Sequence, residues 1–273
     1  MSATNALTEV CGIILHPAGH TRSPAMHRAA YAALGLDATY QAFDVPPDDL
    51  ETAIAGVRAL RLRQVAVSIP HKEAVLEHLD VVDETAQAIG AVNTVTRVGT
   101  ELVGTNTDYS GALRALRRLV EPSGAQAVVL GAGGAARAVV WGLLQSGAQV
   151  AILNRTESKA EALASALGAH DTGSLETLGG RPYDILVNTT SVGLNEDASP
   201  VAPGDLRSGA VVMDAVYQPE TTRLLTDAAK AGARPLGGKW MLVYQAAAQL
   251  ELWSGQTAPV EVMAEAFDQA GDA

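Results

Sequence analysis

"GAQAVVLGAGGAARAVVWGLLQSGAQVAILNRT", residues 124–156, decides the fold. A β-rich run ends in a glycine-rich turn, a helical run follows, and a second β-rich run closes the stretch. A G-x-G-x-x-G pattern alone is weak evidence, but a strand before it and a helix after it supply the context it needs. Gly131 permits the tight turn, Gly133 lets the backbone approach a pyrophosphate, and Ala136 at the third position allows close helix–strand packing. Gly134 and Ala135 complete the turn, where the helix N-terminus offers N–H groups to a phosphate. The second strand ends in Asn154, where an Asp or Glu would accept the ribose hydroxyls of NAD. Arg155, Thr156 and Lys159 follow at once, and this run of guanidinium, hydroxyl and ammonium favours NADP over NAD. Glu157 complicates the charge, but its place inside the next helix lets it point away.

The alternation continues on both sides of this stretch. Upstream, "VCGIIL" (10–15), "TYQAFDV" (39–45), "QVAVSI" (64–69) and "AVNTVTRV" (91–98) read as strands. "SPAMHRAAYAALGL" (23–36) reads as a helix with Ser23 at the N-cap, Pro24 at the first helical position and Gly35 near its end. A second helix covers 47–60, so the first half reads as successive βαβ units to about residue 110. Downstream, "YDILVNT" (183–189) and "AVVMDAV" (210–216) are further strands. From about Gly238 the chain reads as two helices, and the apolar residues of the first cover much of its circumference, which predicts burial between layers. The whole is α/β architecture with parallel sheets.

Bulk properties narrow the function. The chain has 273 residues, 48% of them hydrophobic, which suits one large or two modest domains. No run of 18 apolar residues predicts a membrane span, and "MSATNALTEV" lacks a secretory pattern. Cys11 is the only cysteine, so a reducing compartment, the cytoplasm, is expected. A formal charge of −11 without a basic block argues against nucleic acid and anionic membrane as partners. His16, His20 and His27 lack metal-ligand spacing and accompanying carboxylates, so no metal site is expected.

Ligands of open α/β sheets sit beyond the carboxyl ends of the strands. There the first half carries Thr21 and Ser23 in "HTRSP", Ser68 and Lys72 in "VSIPHK", Asn93 in "GAVNT", and Asn106, Thr107 and Asp108 in "GTNTD". Hydroxyls, a carboxamide, an ammonium and a carboxylate suit a small polyhydroxylated anion. Hydride addition to a ketone builds charge on its oxygen, which a nearby ammonium both stabilises and protonates. Asp108 opens a predicted helix, whose dipole favours the ionised carboxylate. A surface Lys72–Asp108 ion pair is the plainer alternative.

"HTRSPAMH", "VSIPHKE", "GAVNTV", "GTNTD", "GAGGAARA", "NRT", "NTTSVGL", "DAVYQPETTRLL" and "GGKWMLVYQAA" stand in this order. From about residue 12 to about 255 the chain thereby resembles the shikimate dehydrogenases. The resemblance implies NADPH-linked, reversible reduction of 3-dehydroshikimate to shikimate in aromatic amino acid biosynthesis. It implies a two-lobed protein, with residues 1–110 and 239–273 binding a cyclohexene carboxylate and 111–238 forming a Rossmann-like NADP domain. The C-terminal helices return to the first lobe, and the chain is a monomer or homodimer. Lys72 and Asp108 match the family's catalytic pair. Thr21, Ser23, Ser68, Asn93 and Gln245 match its substrate-binding groups, with the carboxylate near Thr21 and Ser23. Tyr217 matches a further substrate-binding residue, and it and Gly238 match residues beside the nicotinamide.

Some positions depart from the family pattern: Ala66, Ser68 and His71 replace Asn, Thr and an aromatic residue. Tyr109 stands where glycine is usual. Ser68 and Tyr40 are similar to the quinate/shikimate branch, which commonly prefers NAD. Quinate and an amino analogue therefore remain open as substrates. A catalytically silent NADP-binding sensor is the alternative from another class, while the methylene-tetrahydrofolate dehydrogenases lack a role for "HTRSP".

Overall fold

A computed structural model describes residues 4–19 and 21–271. His20 lies outside the described residues, so the histidine trio is described only at His16 and His27.

The first elements in chain order are β1 (Glu9–Leu15), α1 (Ser23–Leu34), β2 (Ala38–Asp44), α2 (Leu50–Ala59), β3 (Gln64–Val67), β4 (Val81–Val82) and α3 (Glu84–Ile89). Next come β5 (Thr94–Val98), β6 (Glu101–Thr105), α4 (Asp108–Leu116), β7 (Gln126–Leu130), α5 (Gly134–Gln145), β8 (Gln149–Leu153), α6 (Glu157–Leu167) and β9 (Asp171–Gly173). The chain ends with β10 (Ile185–Asn188), β11 (Val211–Asp214), α7 (Arg223–Lys230), β12 (Arg234–Leu236), α8 (Lys239–Ser254) and α9 (Val260–Gln269). Its contacts divide it into two compact units: residues up to Thr107 together with those from Val243, and Asp108–Leu242. The second division falls inside the first turn of α8.

The first unit holds a six-stranded sheet in the order β2-β1-β3-β5-β6-β4. β1 pairs in parallel with β2 and β3, but β5 runs antiparallel to both β3 and β6. The reading of successive βαβ units therefore fails after β3. β5 and β6 form a hairpin turned through Gly99, at φ +62. The glycine between two short alternating runs was its signal. Ile14, Val65, Val67, Val92 and Val95 meet Leu50, Ile54 and Val57 of α2 in one buried cluster. Each such side chain contributes roughly 1.5–3 kcal/mol when fully buried. α1 and α9 pack against one another. Helix α1 starts at Ser23, not after it. Arg22 occupies the cap position, its side chain capping none of the helix N–H groups, and Thr21 Oγ1 accepts the Ser23 N–H at 3.3 Å. No residue from 239 to 251 is exposed, as the apolar circumference of α8 predicts.

The second unit holds a fully parallel sheet in the order β12-β11-β10-β7-β8-β9. Leu130, Leu153, Leu186 and Val212 are among the side chains of its core. α4 packs on α5, where Tyr109 meets the Trp141 ring edge-on at 4.7 Å. Tyr109 thus joins two helices of one unit, which accounts for a bulky residue at that position.

Candidate functional site

The hairpin missing from the sequence reading assembles the first unit's polar cluster. Because β5 is antiparallel to β3, its start lies beside the end of β3, and β6 ends at the same edge. Asn93, Thr107, Ser68 and Lys72 therefore share one rim. Val67 N–H donates to the Asn93 carbonyl at 2.7 Å, and Ser68 N–H to that of Ile14 at 2.9 Å. Val92 N–H donates to the Lys72 carbonyl at 2.8 Å, which fastens the lysine loop to the residue preceding Asn93. His71 is buried, with Nε2 2.7 Å from the Val45 carbonyl, so it anchors that loop through packing. Lys72 itself is half-buried.

Asn93 is the hub. Its Oδ1 accepts the Thr94 hydroxyl at 2.7 Å and the Thr107 N–H at 2.8 Å. Its Nδ2 donates to Thr107 Oγ1 at 2.9 Å and to Gln245 Oε1, on α8, at 3.3 Å. Asn106 Nδ2 reaches the Ala91 carbonyl at 2.8 Å. Ser23 is buried and Thr21 half-buried, one on each side of Arg22. Asp108 is buried, follows Thr107 directly, opens α4 and belongs to the second unit. Gln249 and Thr94, both buried in this network, carried no signal in the sequence beyond a second glutamine one turn along α8.

His16 pairs with Asp44 at 2.8 Å, and His27 is fully buried and stacked on Tyr40 at 4.2 Å. Burial holds His27 down at about 3, so it stays neutral, with the Gln249 side chain opposing the shift. Among the described residues no group of three or more His, Cys, Asp or Glu is placed to hold a metal.

In the second unit, Gly131 adopts φ +111, and a Cβ there would lie 2.7 Å from Thr189 Oγ1. A Cβ on Gly133 would meet open space. No side chain caps α5, whose N-cap is Gly133, so its first turn presents backbone N–H groups over an unfilled approach. That geometry fits a dinucleotide pyrophosphate. After β8, Asn154 Nδ2 braces the turn on the Thr156 carbonyl at 2.8 Å. Arg155, Thr156 and Lys159 are exposed, and among the described residues the Arg155 and Lys159 side chains make no ion pair. An added phosphate would find both cations unneutralised.

A buried polar triad also lies in this unit without any role from the sequence reading. Asp214, at the end of β11, accepts from Asn188 Nδ2 at 2.9 Å, Val216 N–H at 3.0 Å and Thr222 Oγ1 at 2.6 Å. Burial raises its pKa, and those three bonds oppose the rise. The triad fixes the loops after β10 and β11, one bearing Thr189 and the other the half-buried Tyr217. Gly238 has a packing reason of its own. A Cβ there would stand 2.6 Å from the Ala215 carbonyl oxygen and 2.8 Å from that of Val216.

These features define a dinucleotide-binding α/β protein of two units. Family models for the shikimate dehydrogenase substrate binding domain match residues 13–95, and for shikimate/quinate 5-dehydrogenase residues 114–193. The model of the shikimate 5'-dehydrogenase C-terminal domain matches residues 238–266. The chain is 47% identical to shikimate dehydrogenase (NADP(+)) of Methanopyrus kandleri, covering 97% of this chain and 96% of that one. It is 48% identical to the enzyme of the same name from Haloarcula marismortui, over 93% and 97%. Shikimate 5-dehydrogenase of Thermus thermophilus, solved with NADP(H) and shikimate, superposes with a TM-score of 0.91 at 39% identity, over 96% and 99% of the two chains. The chain belongs to the shikimate dehydrogenase family.

Proposed function

We propose that the protein catalyses the NADP-dependent, reversible reduction of 3-dehydroshikimate to shikimate. The observation that carries this reading is the Asn93 hub, which holds Thr107 and Gln245 beside the Lys72 loop at one sheet edge. NADPH, when bound, supplies the hydride. Lys72 Nζ stabilises the charge that grows on the ketone oxygen and gives that oxygen a proton; in the oxidative direction it takes the proton back. Asp108 orients the ammonium and accepts a substrate hydroxyl. Thr21 and Ser23 hold the substrate carboxylate, while Ser68, Asn93 and Gln245 meet the ring hydroxyls. Gly131, Gly133, Gly134 and Ala135 receive the pyrophosphate, and Asn154, Arg155, Thr156 and Lys159 the 2′-phosphate end. Tyr217 and Gly238 lie beside the nicotinamide.

In this reading residues 1–110 and 239–273 bind substrate, and 111–238 bind NADP. No helix among the described residues is long and apolar enough to cross a membrane. A single buried thiol, Cys11, fits the reducing cytoplasm, where the protein acts as a monomer or homodimer.

The test follows absorbance at the nicotinamide band with shikimate and quinate, each against NADP and NAD. Shikimate with NADP should turn over fastest. Quinate oxidation driven by NAD alone would replace the assignment with that of the quinate branch. NADPH binding without turnover on any of these acids would leave only a sensor.

A further inference from the structure

We propose that Gln249 and Thr94 form a buried polar relay that sets the orientation of the Asn93 amide, and through it that of Gln245. This rests on the reading above, in which Asn93 and Gln245 meet the substrate. Gln249 Nε2 donates to Thr94 Oγ1 at 3.0 Å and to the Asn93 carbonyl at 3.2 Å. A hydroxyl has one proton. With its lone pair receiving Gln249, the Thr94 hydroxyl directs that proton to Asn93 Oδ1 at 2.7 Å.

The polarity of the chain follows link by link. A reversed Gln249 amide would set its oxygen against the Asn93 carbonyl. A reversed Asn93 amide would set its NH2 group against the Thr107 N–H, 2.8 Å from the present oxygen. Asn93 Nδ2 therefore faces Thr107 Oγ1 and Gln245 Oε1. With Oε1 engaged in this way, Gln245 meets a substrate hydroxyl as a donor. Thr94 is 0% exposed, and Asn93 and Gln249 are each 2% exposed, so water does not replace a lost link. Thr94 and Gln249 are positioning residues that act through Asn93.

The test combines steady-state kinetics with side-chain amide hydrogen exchange by NMR. Thr94→Val keeps the shape and removes the hydroxyl. It should raise KM for shikimate about tenfold, the scale of one buried hydrogen bond, with kcat within about threefold. KM for NADP should not move. Gln249→Leu should act in the same direction, and Thr94→Ser should restore KM to within about twofold. In the protein without substrate, the Asn93 side-chain amide should exchange faster in Thr94→Val than in the wild type. A lowered Tm with unchanged shikimate KM in both Thr94→Val and Gln249→Leu would overturn the relay, as would equal amide exchange. Absence of shikimate turnover in the wild type would instead sink the proposed function, and the exchange comparison would still decide the relay.

Discussion

In the first unit five polar side chains at the sheet edge, Asn93, Thr94, Thr107, Gln245 and Gln249, are buried and tied to one another. In the second, the cations after β8 are exposed, and the turn after β7 offers backbone. Asn93, Thr94, Thr107, Gln245 and Gln249 form a network whose donors and acceptors are matched before any ligand arrives. Gly133 and the start of α5 instead present N–H groups to open space, and after β8 the exposed Arg155 makes no ion pair among the described residues. A small polyhydroxylated substrate has many isomers, and a fixed network discriminates among them because it holds the polar groups of the rim in set positions that a wrong isomer does not meet. A dinucleotide is large, and its phosphates are met by backbone and by charge. The second unit's buried side-chain network, around Asp214, holds loops rather than a pocket rim.

The largest effect should come from the group that moves a proton. Lys72→Ala should lower turnover by about 10²–10⁴-fold, the usual contribution of positioned acid–base groups. NADPH affinity, measured by fluorescence titration, should persist, because the second unit is untouched. Near-normal turnover would leave the first unit with binding but no chemistry.

Buried polarity in the first unit also has a pH signature. His27 is held at about 3 in the folded protein, against an ordinary value of 6.5. Between these values the unfolded chain binds the extra proton, so stability is full above pH 6.5 and falls as pH drops towards 3. The slope from this one group is about 1.4 kcal/mol per pH unit. Urea denaturation from pH 7 to pH 4 should show it, and His27→Phe should flatten the curve relative to the wild type. Equal curves would mean that His27 is charged or solvated in the folded state.

Glycines test the backbone side of the comparison. Gly238→Ala forces a methyl against the Ala215 and Val216 carbonyl oxygens, so the fold should lose about 1–3 kcal/mol in urea. Gly133→Ala meets nothing in the protein, and its extended backbone accepts alanine. Its stability should stay near that of the wild type while NADPH binds more weakly. If both variants lost stability alone, the open space over α5 would have no ligand to receive.

The second unit was legible in its four central strands, β7, β8, β10 and β11, because strand, turn and helix are contiguous there and follow one parallel rule. The edge strands β9 and β12, three residues each, are too short to show a pattern. The site chemistry of the first unit was legible as residue types, from Thr21 to Thr107, but not as an arrangement. One strand of the sheet, β5, reverses direction, and "ELVGT" is too short and too mixed to declare itself against "GTNTD". Without β6, nothing joins Asn93 to Thr107. Gln249 and Thr94 stayed silent for a related reason: a polar residue on a mostly apolar helix has no meaning until its partners, about 155 positions away, are in place. The Asp214 triad depends on three elements from 188 to 222, and no local pattern announces it.

The smallest effect should sharpen the charge side of the contrast. Arg155 follows β8 with its guanidinium exposed and in no ion pair among the described residues, and Lys159 lies in the first turn of α6. A 2′-phosphate beside them gains charge-assisted hydrogen bonds in water rather than in a buried pocket, so screening limits the gain. Arg155→Ala should therefore raise KM for NADP about tenfold or less, with KM for NAD nearly unchanged. Added salt should narrow the gap between wild type and variant, because the interaction is exposed. Thr94→Val should show no such salt dependence, since its lost bond is buried. A salt-insensitive Arg155→Ala effect, or equal losses with NADP and NAD, would place the guanidinium away from the 2′-phosphate. Discrimination between the cofactors would then rest on Asn154 and Thr156.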